Sequence, residues 1–165
     1  MDVVVREARE SELDEIGALT IAVYGEEQIT PEYMGVLRDA RSRWDAPATT
    51  MLVALDDGTD GLLGVVVYAA PGSPWRDLGV DEEPEIRMLG VLAAARGRGV
   101  GEALVRACIA RAKAAGAPRL ALSTTPEMKA AHRLYERLGF VRAADRDWAP
   151  RPDVQLIAYS LETAA

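Results

Sequence analysis

A chain of 165 residues with 49% apolar content is long enough for one domain with a sizeable core and short for two, so a single domain over residues 1–165 is expected. The formal charge of −7 and sequence pI near 4.8 leave no basic stripe for nucleic acid. No stretch approaches the roughly 20 apolar residues of a membrane span, and residues 1–7 lack the basic flank and apolar core of a signal peptide, which together predict a cytoplasmic protein; one cysteine and one histidine are too few for an internal disulfide or a structural zinc site, and no metal is expected.

Periodicity sets the order of elements. Residues 3–6 read as a short strand, and Ser11 as the N-cap of a helix whose apolar positions Leu13, Ile16, Leu19 and Val23 recur every three to four residues. Thr30 and Pro31 supply a cap and a first residue for a second helix with Tyr33, Val36, Leu37, Ala40 and Trp44 on one face. The β-rich runs 51–54 and 62–69 flank the turn formers Asp56-Asp57-Gly58-Thr59-Asp60-Gly61 and read as a hairpin. The acidic, Pro- and Gly-rich stretch 71–84 is a surface loop, and 85–91 a fourth strand. A helix over 100–115 buries Val100, Leu104, Cys108 and Ala112 and stops at Gly116, with Pro118 preventing continuation. A strand at 119–123, a helix at 126–138 and strands at 141–148 and 154–161 complete a mixed α/β pattern without repeats or linkers.

Between the fourth strand and the long helix lies Arg96-Gly97-Arg98-Gly99-Val100-Gly101. Glycines there let backbone N–H groups turn outward at a helix N-terminus, which makes an anion site, and the two arginines add positive charge suited to phosphate. A phosphate-binding P-loop would need Gly-Lys-Ser/Thr, and the dinucleotide fingerprint would need a third glycine where Glu102 stands, so both nucleotide readings fail. As a mere helix entry, the three glycines would each weaken the helix start by about 1 kcal/mol relative to alanine.

The spacing Arg96-x-x-Gly99-x-Gly101 resembles the pyrophosphate loop of the GCN5-related N-acetyltransferases (GNAT). The element order, the strand from Glu85 to Val91 and the segment Leu134-Tyr135-x-x-x-Gly139-Phe140 resemble that family over nearly the whole chain. One departure is Met128, which stands where the family often has an asparagine near the cofactor. The resemblance implies a mixed, mostly antiparallel sheet of six to seven strands flanked by four helices. It also implies an acetyl-CoA-dependent enzyme, acetyl-CoA being a co-substrate, that transfers the acetyl group to an amine of a small molecule or peptide by direct attack in a ternary complex. Cofactor contacts would come from the backbone of Leu89, Gly90 and Val91, pairing with pantetheine like an added strand, and from Arg96, Gly97, Arg98, Gly99, Val100, Gly101 and Glu102 around the pyrophosphate. Tyr135 would donate a proton to the departing thiolate, against the alternative of a plain core tyrosine, and Glu85 is a candidate base, against that of a solvated edge carboxylate. Strand alternation puts Glu85 on the same side as Arg87 and Leu89 unless a bulge resets it. A catalytically silent acyl-CoA-binding sensor, or an acyltransferase using another acyl-CoA or acceptor, are the alternatives; a homodimer is compatible with this reading.

Other conspicuous residues carry blander expectations. His132 falls on the polar face of its helix and reads as a surface histidine, and Cys108 as an inert core thiol. Asp77, Asp81, Glu82 and Glu83 read as a solvated loop that would favour cationic acceptors if it bordered their cleft. Trp44, Trp75, Trp148 and Tyr24 are core or rim aromatics, or the lining of an acceptor pocket.

Overall fold

The computed structural model describes residues 2–24, 30–59, 61–78 and 80–164; Asp60 of the expected turn and Gly79 of the expected loop lie outside them. Strands β1 (Val3–Glu7), β2 (Thr49–Asp56), β3 (Leu62–Ala69) and β4 (Glu85–Val91) pair antiparallel in chain order. β4 runs parallel to β5 (Arg119–Thr124), which pairs antiparallel with β8 (Val154–Glu162). Two short strands, β6 (Val141–Arg142) and β7 (Trp148–Arg151), each pair with β8. The result is a mixed α/β fold on a mostly antiparallel sheet of eight strands.

Alternating residues of each strand serve opposite faces, so the sheet is buried on both. Met51, Val53 and Leu55 of β2 join Val65 and Val67 of β3 under α1 (Leu13–Tyr24), α2 (Pro31–Arg38) and α3 (Ala40–Asp45). Leu52 and Ala54 join Val66 and Tyr68 on the other face under Leu104, Val105 and Cys108 of α4 (Val100–Ala114), with Tyr135 of α5 (Lys129–Arg137) in the same core.

Several boundaries differ from the sequence expectation, each because a side chain competes with regular backbone pairing. The first helix is entered through a 3-10 turn containing Ser11, and Glu12, ion-paired to Arg6 at 2.7 Å, accepts the Arg9 N–H at 2.8 Å in place of a serine cap. The expected second helix is two, which makes five α-helices among the described residues: Asp39 ends α2 with φ −83° and ψ 75° and caps α3 by accepting the Ser42 N–H at 3.1 Å. The expected strand 141–148 breaks at Asp147, whose carboxylate accepts from the Ala158 N–H and from Arg142, both at 2.8 Å.

Candidate active site

The site grows from an interruption in the sheet. β4 and β5 pair only at Glu85↔Ala121 and Ile86↔Leu122 and then part. Just beyond the last pair, Met88 adopts φ +52°, and the β3–β4 register shifts so that two β4 residues, Met88 and Leu89, face the single Val66. This bulge corrects the expected alternation. Met88 packs with the α1–α3 core, and Leu89 and Val91 pack against the α4 core, so Leu89 is not on the side of Arg87. Because the Leu92 N–H donates to Leu63 O at 2.9 Å, the backbone groups of Gly90 and Leu92 face β3, and those of Leu89 and Val91 face the gap. Tyr24, at the end of α1, reaches this gap and donates its hydroxyl to Leu89 O at 2.9 Å. Gly90, expected to leave the edge open, instead admits α1: a Cβ there would lie 3.4 Å from the Val23 methyl groups.

At the end of β4 the chain turns through Gly97 and Gly99, both at φ +80°, where an L side chain is strained. Gly99 caps α4 without any side-chain hydrogen bond, and the first helical bond is Ala103 N–H to Gly99 O at 3.0 Å. The N–H groups of Val100, Gly101 and Glu102 therefore lack intrahelical acceptors and sit at the positive end of a 15-residue helix. A Cβ at Gly101 would touch Leu134 at 3.4 Å, an ordinary contact distance. The two arginines part ways: Arg98 is ion-paired to Asp56 at the end of β2, and Arg96 is exposed and has no ion-pair partner among the described residues. Glu102, which would repel a phosphate, is held by Arg137 at 2.8 Å and Arg106 at 3.1 Å, and these hydrogen bonds keep its carboxyl below the usual carboxylate range.

Tyr135 lies in the α4-side core at 5% exposure, edge-on to Phe140 with ring centroids 5.8 Å apart and 6.1 Å from Tyr159. Burial pushes its hydroxyl well above the ordinary tyrosine value, so it stays protonated, and among the described residues it has no hydrogen-bond partner.

Glu85 differs from its expectation. The carboxylate is 0% exposed, not solvated, and accepts the N–H groups of Asp77 at 2.9 Å and Leu78 at 2.5 Å. These bonds tie the 71–84 loop to the start of β4. Half of the acidic loop is held by its own contacts. Asp77 pairs with Arg87 at 2.7 Å, and the buried Glu83 pairs with Arg119 and Arg146, both at 2.9 Å. Arg146 also donates to Leu78 O at 2.5 Å, and Arg87 to Trp75 O at 2.6 Å. Asp81 and Glu82 are exposed.

Sequence reading missed Arg43, at 1% exposure, which donates to Val36 O at 2.9 Å and Leu37 O at 3.1 Å and so closes the C-terminal end of α2. Burial lowers its guanidinium's affinity for the proton, and Asp39, Tyr33, Arg87 and Tyr24 all act on it. No local pattern distinguishes it from a surface arginine. His132 is also corrected: it is buried, with Nε2 2.9 Å from Thr125 O and its ring 5.8 Å from Tyr159. The face of α5 that carries it turns toward β8, where Glu136 accepts the Tyr159 hydroxyl at 2.9 Å. Cys108 is buried, its thiol pushed up to about 12, as suits a core residue. Among the described residues no acidic, cysteine and histidine side chains gather to hold a metal ion, and no helix is long and apolar enough to cross a membrane.

Residues 9–140 match the Acetyltransferase (GNAT) family. No curated protein matches the chain. Among solved structures, a protein described as histone acetyltransferase HPA2 and related acetyltransferase from Corynebacterium glutamicum superposes with a TM-score of 0.77 at 22% identity, covering 100% of this chain and 98% of that one. The ribosomal-protein-S18-alanine N-acetyltransferase from Escherichia coli gives 0.73 at 17% identity, over 99% and 96%. An acetyltransferase of the GNAT family from Staphylococcus aureus gives 0.76 at 15%, over 98% and 99%. With the parted strands, the bulge and the uncapped helix in the matched region, the chain belongs to the GNAT acetyltransferase family.

Proposed function

We propose that the protein transfers the acetyl group of acetyl-CoA to an amine by direct attack in a ternary complex. The observations that carry this reading are the gap-facing backbone of Leu89 and Val91, of which the Leu89 carbonyl accepts the Tyr24 hydroxyl, and the uncapped N–H groups of Val100, Gly101 and Glu102. The donor set fits acetyl-CoA. Leu89 and Val91 offer an edge for the amides of pantetheine, the α4 N-terminus and the turn at Gly97 and Gly99 suit a pyrophosphate, and Arg96 adds unspent positive charge. Acetyl-CoA, when bound, supplies an activated acetyl thioester.

The residues divide the remaining work. Tyr135 keeps its proton because burial disfavours the phenolate, which suits it to donate to a departing sulfur. The acceptor must be neutral at nitrogen before it attacks, because an ammonium has no lone pair, and that proton passes to water in this reading. Glu85, Arg87 and Arg146 hold the 71–84 loop and so shape the acceptor side. A steady-state assay of CoA release across a panel of amines tests the proposal. Release that depends on both acetyl-CoA and an amine is expected; CoA binding without turnover on any amine would make the protein an acyl-CoA-binding sensor instead.

A further inference from the structure

A cavity of about 510 Å³ lies at the far end of α4, between its last turn, the 116–118 connection and the two ends of the 71–84 loop. The 15 residues of α4 span roughly 22 Å at 1.5 Å per residue, so the cavity is well removed from the uncapped helix start and the gap beside Leu89. Its volume falls within the roughly 300–1,000 Å³ usual for sites that hold small organic molecules.

Size names no ligand, but the polar groups narrow the class. Tyr68 of β3 stands in the α4-side core at 6% exposure, and its hydroxyl has no hydrogen-bond partner among the described residues. That hydroxyl is not sealed in the core; it opens into the cavity whose wall the residue forms. Burial raises the phenol above its ordinary value of 10.0, and Arg111 acts on it in the opposite direction, so the group is an O–H donor at neutral pH in the field of a guanidinium. Arg111 lines the cavity too, and its bond to Glu7 at 3.0 Å engages only Nη2 of a side chain with five N–H donors. The pair is 37% and 66% exposed, so sharing the guanidinium with a second carboxylate costs little.

The wall carbonyls, by contrast, are engaged. Ala70 O accepts the Ser73 N–H at 2.9 Å, Pro84 O the Ala121 N–H at 3.0 Å, Ala117 O the Thr163 hydroxyl at 2.7 Å and Pro118 O the Thr163 N–H at 3.1 Å. The rest of the lining is alanine, glycine and proline, with Glu82 exposed at the rim. Two donors, one of them cationic, call for an anionic acceptor. Walls without side-chain hydrogen-bonding groups call for an apolar body, and Glu82 disfavours a second negative charge on it.

We infer that this cavity is a binding site for a monocarboxylate on an apolar body, the carboxylate accepting from the Tyr68 hydroxyl and from Arg111 while the body lies on the alanine and proline walls. The site stands apart from the groups assigned to acetyl transfer, and neither reading depends on the other.

The test is a protein-observed NMR titration of the full chain, with 2-naphthoate and the neutral 2-naphthamide, which has the same shape, as probes. The wild type is expected to bind the naphthoate at least about tenfold more tightly than the amide, with shifts at the backbone amides of Ala115, Gly116 and Ala117 and none at those of Val100, Gly101 and Glu102. Tyr68→Phe keeps the ring in the core and is expected to weaken the naphthoate by about tenfold, and Arg111→Gln to bring the two probes to about equal affinity. A wild type that binds both probes alike, or neither at millimolar concentration, overturns the inference whether or not the variants fold. So do shifts that cluster away from the end of α4, or a Phe variant that keeps the wild-type affinity for the naphthoate.

Discussion

The face of the sheet that carries α4 and the face that carries α1 to α3 both present groups to β4, with different kinds of contact. On the α4 face the groups are backbone: the gap-facing edge of Leu89 and Val91, the left-handed turn at Gly97 and Gly99, and N–H groups at a helix end, all within residues 89–102. On the other face a side chain joins across a long stretch of chain, Tyr24 to Leu89, 65 residues apart. A backbone site tolerates change in most side chains and fails at the few positions where conformation is strained. A side-chain site can be retuned residue by residue.

The largest expected effect falls on Tyr135, which packs in the core and is the proposed acid. Tyr135→Phe removes a hydroxyl with no protein partner among the described residues, so stability and CoA affinity should hardly change. Loss of general acid catalysis should lower kcat by about 10²-fold under conditions where acetyl transfer limits turnover. An unchanged single-turnover rate would return Tyr135 to the core. The same variant has a signature in pH. Burial raises the tyrosine above its ordinary value of 10.0, so the native state holds this proton more tightly than the unfolded chain. The stability this contributes is fully present below pH 10 and is lost as pH rises toward the raised value; urea midpoints above pH 10 should therefore fall more steeply for the wild type than for the Phe variant.

Next in size is a break in the side-chain network. Arg146→Ala leaves the buried Glu83 with Arg119 alone and frees the Leu78 carbonyl, and a cost of about 2 kcal/mol is expected from the loss of charged hydrogen bonds. Chemical denaturation gives the cost, and acceptor KM should rise while the Kd for CoA stays within about twofold, because the two faces are separately built. A matching loss of CoA affinity would show that they are coupled.

The backbone face is probed by a matched pair of glycines. Gly99 and Gly58 sit at φ +80° and +86° with open space where a Cβ would go, so alanine strains both about equally, by roughly 1 kcal/mol. Gly99→Ala should raise the Kd for CoA by about tenfold, or 1.4 kcal/mol, and Gly58→Ala should leave it alone. Equal Kd values in the two variants would detach the glycine turn from cofactor binding.

The smallest effect separates the two arginines. Arg96→Gln should weaken CoA binding by about threefold and flatten its dependence on salt, as expected for an exposed charge. Arg98→Gln should leave that salt dependence intact and lower stability through the loss of Asp56. The reverse pattern would assign the phosphate to Arg98.

The glycine turn, the long helix behind it and the order of the main elements were legible in the sequence because each is set by contacts between near neighbours: left-handed backbone at Gly97 and Gly99, the four-residue stripe from Val100 to Ala112, the stop at Gly116. The burial of Tyr135 was legible as well, as the core-tyrosine alternative on its helix's apolar side, although the absence of a hydrogen-bond partner among the described residues was not. Tertiary structure alone decided which face each later β4 residue serves, because the bulge at Met88 depends on the register with β3. It also decided that Glu85 is buried and bonded to the Asp77 and Leu78 N–H groups, that His132 turns inward, and that Asp77 and Glu83 are answered by Arg87, Arg119 and Arg146. Charge partners are chosen by proximity in space, and a carboxylate looks the same in sequence whether water, a backbone N–H or a distant guanidinium will meet it.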